Sequence, residues 1–110
     1  MSSIDLAQIQ ELKDIMEEAF DDLISTYLTD SEAKLNLLKQ AIADQNCSDI
    51  AELAHSVKGA SANIFAEDLS ALCRVVEDAG RAQQLDGLDQ NISDIFAEFE
   101  NVKTQLQQLN

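Results

Sequence analysis

The sequence predicts an all-α fold, an antiparallel up-down four-helix bundle with a short extra N-terminal helix. Two observations carry that expectation. The 110 residues contain no proline and three glycines, while Ala, Leu, Ile, Glu, Gln and Asp dominate. Turn formers are thus scarce and helix formers abundant. Apolar residues also recur at three- and four-residue spacing in long stripes, with no period-2 alternation that would mark strands. A chain of this length forms one domain, taken here as residues 1–110.

The first predicted helix covers 4–15, opened by Ser2 with Asp5 three residues on in the manner of a capping box, with Leu6, Ile9, Leu12 and Ile15 as its apolar set. The second runs over 17–45 on Phe20, Leu23, Ile24, Tyr27, Ser31, Leu35, Leu38 and Ile42. At roughly 1.5 Å per residue it reaches about 40 Å, a length suited to a bundle. No Gly or Pro marks the break between these two helices, which falls near Met16. Asp44-Gln45-Asn46 forms a turn, with Asn46 as N-cap of a third helix over 47–64 and Asp49 favourable in its first turn. A fourth helix spans 67–82 on Leu69, Leu72, Cys73 and Val76, a polar loop covers 83–87, and the last helix spans 88–109 on Ile92, Ile95, Phe96, Phe99, Val102, Leu106 and Leu109.

The formal net charge of −14 argues against nucleic-acid binding, since a phosphate backbone would be repelled. The charge is uneven. Nine carboxylates stand against one lysine in residues 1–32, and nine against three basic residues in 66–110. Between them Asp44, Asp49 and Glu52 balance Lys34, Lys39 and Lys58, so an anion is repelled least there. The start Met1-Ser2-Ser3-Ile4-Asp5 is no signal peptide and no apolar run approaches membrane-spanning length, so a cytoplasmic protein with reduced Cys47 and Cys73 is expected.

His55 is the single histidine. The apolar set of its helix is Ile50, Leu53, Ala54, Val57, Ser61 and Ile64, and His55 points about 150° from the centre of that set. It is therefore expected in solvent, ringed by Ala51, Ala62 and Gly59, with Ser48, Glu52 and Lys58 at the margins. A glycine inside a helix costs about 1 kcal/mol relative to alanine. On an exposed face, close approach by a partner accounts for Gly59 where packing does not. Lys58, three residues from His55, is placed to compensate an anion on the imidazole. A neutral imidazole is a nucleophile near pH 7, and a phosphoimidazole is a reactive phosphoryl donor.

No GxxxxGK[ST] loop, GxGxxG or HRD/DFG set is present, so ATP binding is not expected. One histidine with two distant cysteines makes no metal site, and an all-helical chain without GxSxG gives no support to a Ser/His/Asp triad. These residues read as a passive carrier rather than an enzyme. The alternative is a docking or acidic helical adaptor module that carries no phosphate.

The segment Leu53-Ala54-His55-Ser56-Val57-Lys58-Gly59-Ala60-Ser61-Ala62-Asn63 resembles the signature of histidine-containing phosphotransfer (HPt) domains, approximately AHxLKGxxxN. The likeness continues through Leu69, Leu72-Cys73, Glu77 and Gly80-Arg81, and covers nearly the whole chain. It implies a phosphorelay intermediate that accepts a phosphoryl group on Nε2 of His55 from a receiver-domain aspartate and passes it to another. The implied partners are receiver domains of response regulators and hybrid sensor kinases, which supply Mg²⁺, so the chain needs no cofactor of its own and is expected to be a monomer. By the resemblance Lys58 supports the phosphoryl charge; Gly59, Ala51 and Ala62 form the docking surface; and Glu77 stands where a polar group orients the imidazole. Ile64-Phe65-Ala66 departs from the family's common Leu-Gly-Ala, which implies a different helix end or a ring lying over the end of the bundle.

Overall fold

A computed structural model describes residues 4–109, and these fold into five helices: α1 (Leu6–Met16), α2 (Ala19–Ala43), α3 (Cys47–Asn63), α4 (Glu67–Ala82) and α5 (Leu88–Gln108). Among the described residues there is no strand. The long dimension is 42 Å, set by α2 and α5, against 25 and 18 Å across. α3 and α4 make the most extensive helix pair, α2 packs on α3, and α5 closes the bundle against α4 and α2.

The stripes of α2, α3, α4 and α5 are buried as the spacing requires. Phe20, Leu35, Leu38, Ile50, Val57, Leu69, Val76, Ile95, Phe99 and Leu106 are almost fully enclosed. Inside the core the Tyr27 hydroxyl meets Ser61 Oγ at 2.8 Å, which explains two polar groups on otherwise apolar stripes. Burial pushes the Tyr27 phenol up to about 12, with the Ser61 hydrogen bond opposing.

α1 forms where expected, with its apolar stripe only partly covered. Asp5 caps it, its side chain accepting from the Gln8 N–H at 3.1 Å, while Ser2, the other half of the expected capping box, lies outside the described residues. Of the predicted stripe only Ile9 is buried; Leu12 is half-buried, and Leu6 and Ile15 are exposed. A strict three-residue spacing drifts about 60° per step, so four such residues span about half the helix circumference and one neighbour covers only the middle.

The helix junctions turn without proline, through residues in the left-handed region. Glu17, Gln45, Phe65 and Gln83 have φ between 55° and 64°, and Gly87 has φ 79°. Asn46 caps α3 as expected, accepting from the Asp49 N–H at 3.1 Å. Phe65 resolves the departure noted in the sequence: α3 ends at Asn63, and Phe65 takes the left-handed conformation that suits glycine. Its ring is half-buried against the core, and its carbonyl accepts from the Asp5 N–H at 3.1 Å, which ties α1 to the α3–α4 turn.

Candidate phosphoacceptor site

α3 carries His55 outward, its side chain 60% exposed, as the helical wheel requires. The ring is nevertheless held. Nδ1 lies 2.9 Å from Oε2 of Glu77 on α4, a carboxylate whose side chain is only 5% exposed. Glu77 sits on the inward stripe of α4, one turn from Cys73 and from Gly80.

Gly80 sets how near α4 lies. A Cβ built there would stand 2.9 Å from the Ala51 nitrogen, 3.0 Å from the Cys47 carbonyl oxygen and 3.1 Å from Ile50 Cγ2. Only glycine permits this approach, which brings Glu77 within reach of α3. The same approach covers Ala51, which was expected on the exposed face beside His55 and is instead 7% exposed. A helical wheel states the direction of a side chain, not where the neighbouring helix lies, and the bare backbone at Gly80 lets α4 sit over Ala51. Gly59 and Ala62 are exposed, and nothing lies within 4 Å of a Cβ built on Gly59.

Three side chains converge on the buried carboxylate. Lys58 Nζ lies 2.6 Å from Oε1, and Arg81 reaches Oε2 with Nη2 at 2.7 Å and Nε at 3.2 Å, beside the His55 ring. Burial alone would push the Glu77 carboxyl up, but Lys58, Arg81 and His55 outweigh it and hold it down at about 2. Glu77 is therefore ionised and can only accept, so the hydrogen of a neutral His55 ring stands on Nδ1. The Nε2 lone pair is left toward solvent. Beside the ring, Lys58, Gly59 and Ala62 of α3 face Ser70, Arg74 and Asp78 of α4 across an open groove of about 570 Å³. Ser70 Oγ donates to the Lys58 carbonyl at 3.0 Å and fixes the two helices at this level. On the other flank Lys34 of α2 donates to Ser56 Oγ at 2.7 Å and pairs with Asp30 at 2.9 Å.

This site lies within residues 22–110, the span over which the sequence matches the Hpt domain family. The chain belongs to the Hpt domain family. Its role is therefore that of a histidine phosphotransfer protein of phosphorelays. Hpt likeness extends to solved structures. The histidine-containing phosphotransfer protein B (HptB) of Pseudomonas aeruginosa PAO1 superposes with a TM-score of 0.91 at 28% identity, over 96% of this chain and 92% of that one. The maize histidine-containing phosphotransfer protein ZmHP2 shares the fold with a TM-score of 0.81 at 18% identity, over 93% of this chain and 85% of that one. No curated protein matches the chain significantly in sequence. Among the described residues no helix is long and apolar enough to cross a membrane.

Of the residues singled out from the Hpt resemblance, His55, Lys58 and Glu77 meet in one cluster, Gly59 and Ala62 flank it in solvent, and Ala51 lies apart in the α3–α4 contact. Lys58, expected to support the charge of a phosphoryl group, is paired with Glu77 in this structure. Arg81 and Gly80, which the sequence reading places in the matching run and not in the site, both belong to it. A signal for both was present: Glu77 and Gly80 fall on the apolar stripe of α4, where a carboxylate needs cations and a glycine implies close packing.

Proposed function

We propose that Nε2 of His55 takes a phosphoryl group from an aspartate of one receiver domain and gives it to an aspartate of another. The observation that carries this reading is a ring 60% exposed whose Nδ1 is tied to a buried, ionised carboxylate, which leaves Nε2 to act as the nucleophile. Such a ring is oriented and in the right tautomer before any partner arrives. Lys58 and Arg81 place two cations against one carboxylate and so leave local positive charge for the incoming phosphoryl group. Gly59 and Ala62 keep the face beside His55 low enough for a receiver to close over the ring.

The chain acts as a carrier, and the aspartate and Mg²⁺ come from the receiver. Receiver domains of response regulators and hybrid sensor kinases are the partners, met by a monomer. The test is incubation with a labelled phospho-receiver and Mg²⁺. One acid-labile, base-stable phosphate on wild type and none on His55→Gln is expected. Binding of the receiver without label on wild type would favour a docking module instead.

A further inference from the structure

The phosphotransfer reading leaves open what becomes of the Nδ1 proton once phosphorus is attached to the ring, and the inference that follows rests on that reading. In the accepting step the Nε2 lone pair attacks phosphorus. The P–N bond forms, the P–O bond to the receiver's aspartate breaks, and its electron pair leaves with that carboxylate. The ring then carries phosphorus on Nε2 and hydrogen on Nδ1, which makes it an imidazolium. An imidazole ring ordinarily loses such a proton close to neutrality, with a reference pKa of about 6.5. If it does so, the onward transfer must expel an imidazolate, a poor leaving group. If the proton stays, the P–N electron pair returns to Nε2 of a neutral imidazole.

We propose that Glu77 holds phosphorylated His55 as an imidazolium across the neutral range, so that the phosphoryl group stays ready to leave and no proton moves in either direction of the exchange. The geometry carries this. Oε2 lies 2.9 Å from Nδ1, and the carboxylate is enclosed, so water does not compete for the hydrogen. Glu77 does not take the proton itself, because two permanent cations oppose its neutralisation.

The charged groups around the pair are consistent with this. From α3 Lys58 faces Oε1, and from α4 Arg81 faces Oε2. The Cys73 thiol on α4, pushed up to about 12 by burial and by the Glu77 charge, stays neutral. From α2 Lys34 is engaged with Asp30 and Ser56. Glu77 is thus a positioning residue that acts through the His55 ring.

The test separates this inference from the reading beneath it. Wild type, His55→Gln and Glu77→Gln are treated with phosphoramidate, a small phosphoryl donor, and the decay of the phosphorylated forms is followed from about pH 6 to 9. Glutamine keeps an oxygen acceptor toward Nδ1 and removes the charge. The expected result is a nearly flat decay rate for wild type and, for Glu77→Gln, a rate falling about tenfold per pH unit once the ring titrates. The ¹⁵N and ¹H signals of Nδ1 in phosphorylated wild type should show the hydrogen retained over the same range. That second measurement decides the matter if Glu77→Gln fails to fold. Label on wild type that survives in His55→Gln, or no label at all, overturns the phosphotransfer reading and this inference with it. Label confined to His55, with Nδ1 titrating near neutrality in wild type or with the same pH profile in both proteins, overturns this inference alone.

Discussion

The same substitution, glycine to alanine, should move stability in opposite directions at Gly59 and at Gly80. At Gly59 the new methyl group meets nothing within 4 Å, so only the helix propensity changes. Alanine is favoured over glycine by about 1 kcal/mol in a helix interior, which raises Tm by about 4 °C for a domain of this size. At Gly80 the propensity gain is the same, but the methyl group would stand 2.9 Å from the Ala51 nitrogen and 3.0 Å from the Cys47 carbonyl oxygen. Both are backbone atoms of α3, so relief requires α4 to shift as a unit. Overpacking of this kind costs about 1–3 kcal/mol, so against the propensity gain the balance is a net loss of up to about 2 kcal/mol and a Tm lower by up to about 8 °C. The shift would also lengthen the 2.9 Å contact between Glu77 and His55, one turn away on α4. Thermal unfolding of both variants beside wild type, with the Nδ1 proton signal of His55 read on the same samples, checks the argument. Gly80→Ala melting at or above wild type would refute the close-approach account, and Gly59→Ala melting below it would show that Gly59 is packed rather than open.

Gly59→Gln should melt near wild type, since the position faces water, yet lose on the order of a hundredfold in transfer rate because the side chain fills the space beside His55; equal transfer kinetics would remove Gly59 from the docking face. Glu77 has a folded pKa held down from the usual carboxylate value, 4.5, to about 2, so its contribution is present above about pH 4.5 and is lost as pH falls through about 2. That contribution is on the order of 3 kcal/mol, of which about 2 kcal/mol is lost between pH 6 and pH 3, and chemical unfolding at the two pH values should show that loss in wild type beyond whatever Glu77→Gln shows. Gln83, exposed with φ 58° and ψ 37°, should gain about 0.5–1 kcal/mol on replacement by glycine, read as a higher denaturant midpoint with unchanged slope.

How much of this was legible in the sequence follows from which physical quantity each feature depends on. The four long helices were readable to within a residue or two because their stripes run for four to seven turns, and burial of a long stripe admits one solution. α4 and α5 begin where expected, at Glu67 and Leu88. The short N-terminal helix was legible as a helix, at Leu6–Met16, but not in its buried face, because four residues at a spacing of three fit a short helix whether or not a neighbour covers them all, and Ile15 is 72% exposed. The exposure of His55 was legible from its angle alone. The burial of Ala51 was not, because it depends on the separation of α3 and α4, which is set at Gly80, twenty-nine residues away in the chain. The left-handed Phe65 was foreshadowed as a departure, but which way it would resolve depends on the Asp5 contact and ring packing that form only in the folded chain.

One feature of the site joins packing to chemistry. A carboxylate buried at 5% exposure is ordinarily costly, and cations that reach it must themselves be held in place. Here Lys58 comes from α3 and Arg81 from α4, so Glu77 bridges the two helices as well as holding the His55 ring. Removal of either cation would leave the charge less compensated and the ring less firmly held. A bare glycine at position 80, by contrast, contributes nothing electrostatic and yet decides whether these atoms can meet. The proposed phosphoacceptor ring is therefore set by an interface that the helix pair must form in order to fold, and in that role His55 would need no segment to order when a partner docks. That is the property expected of a carrier that must meet more than one partner through the same exposed nitrogen: the ring's orientation belongs to the bundle, and each partner has only to approach it.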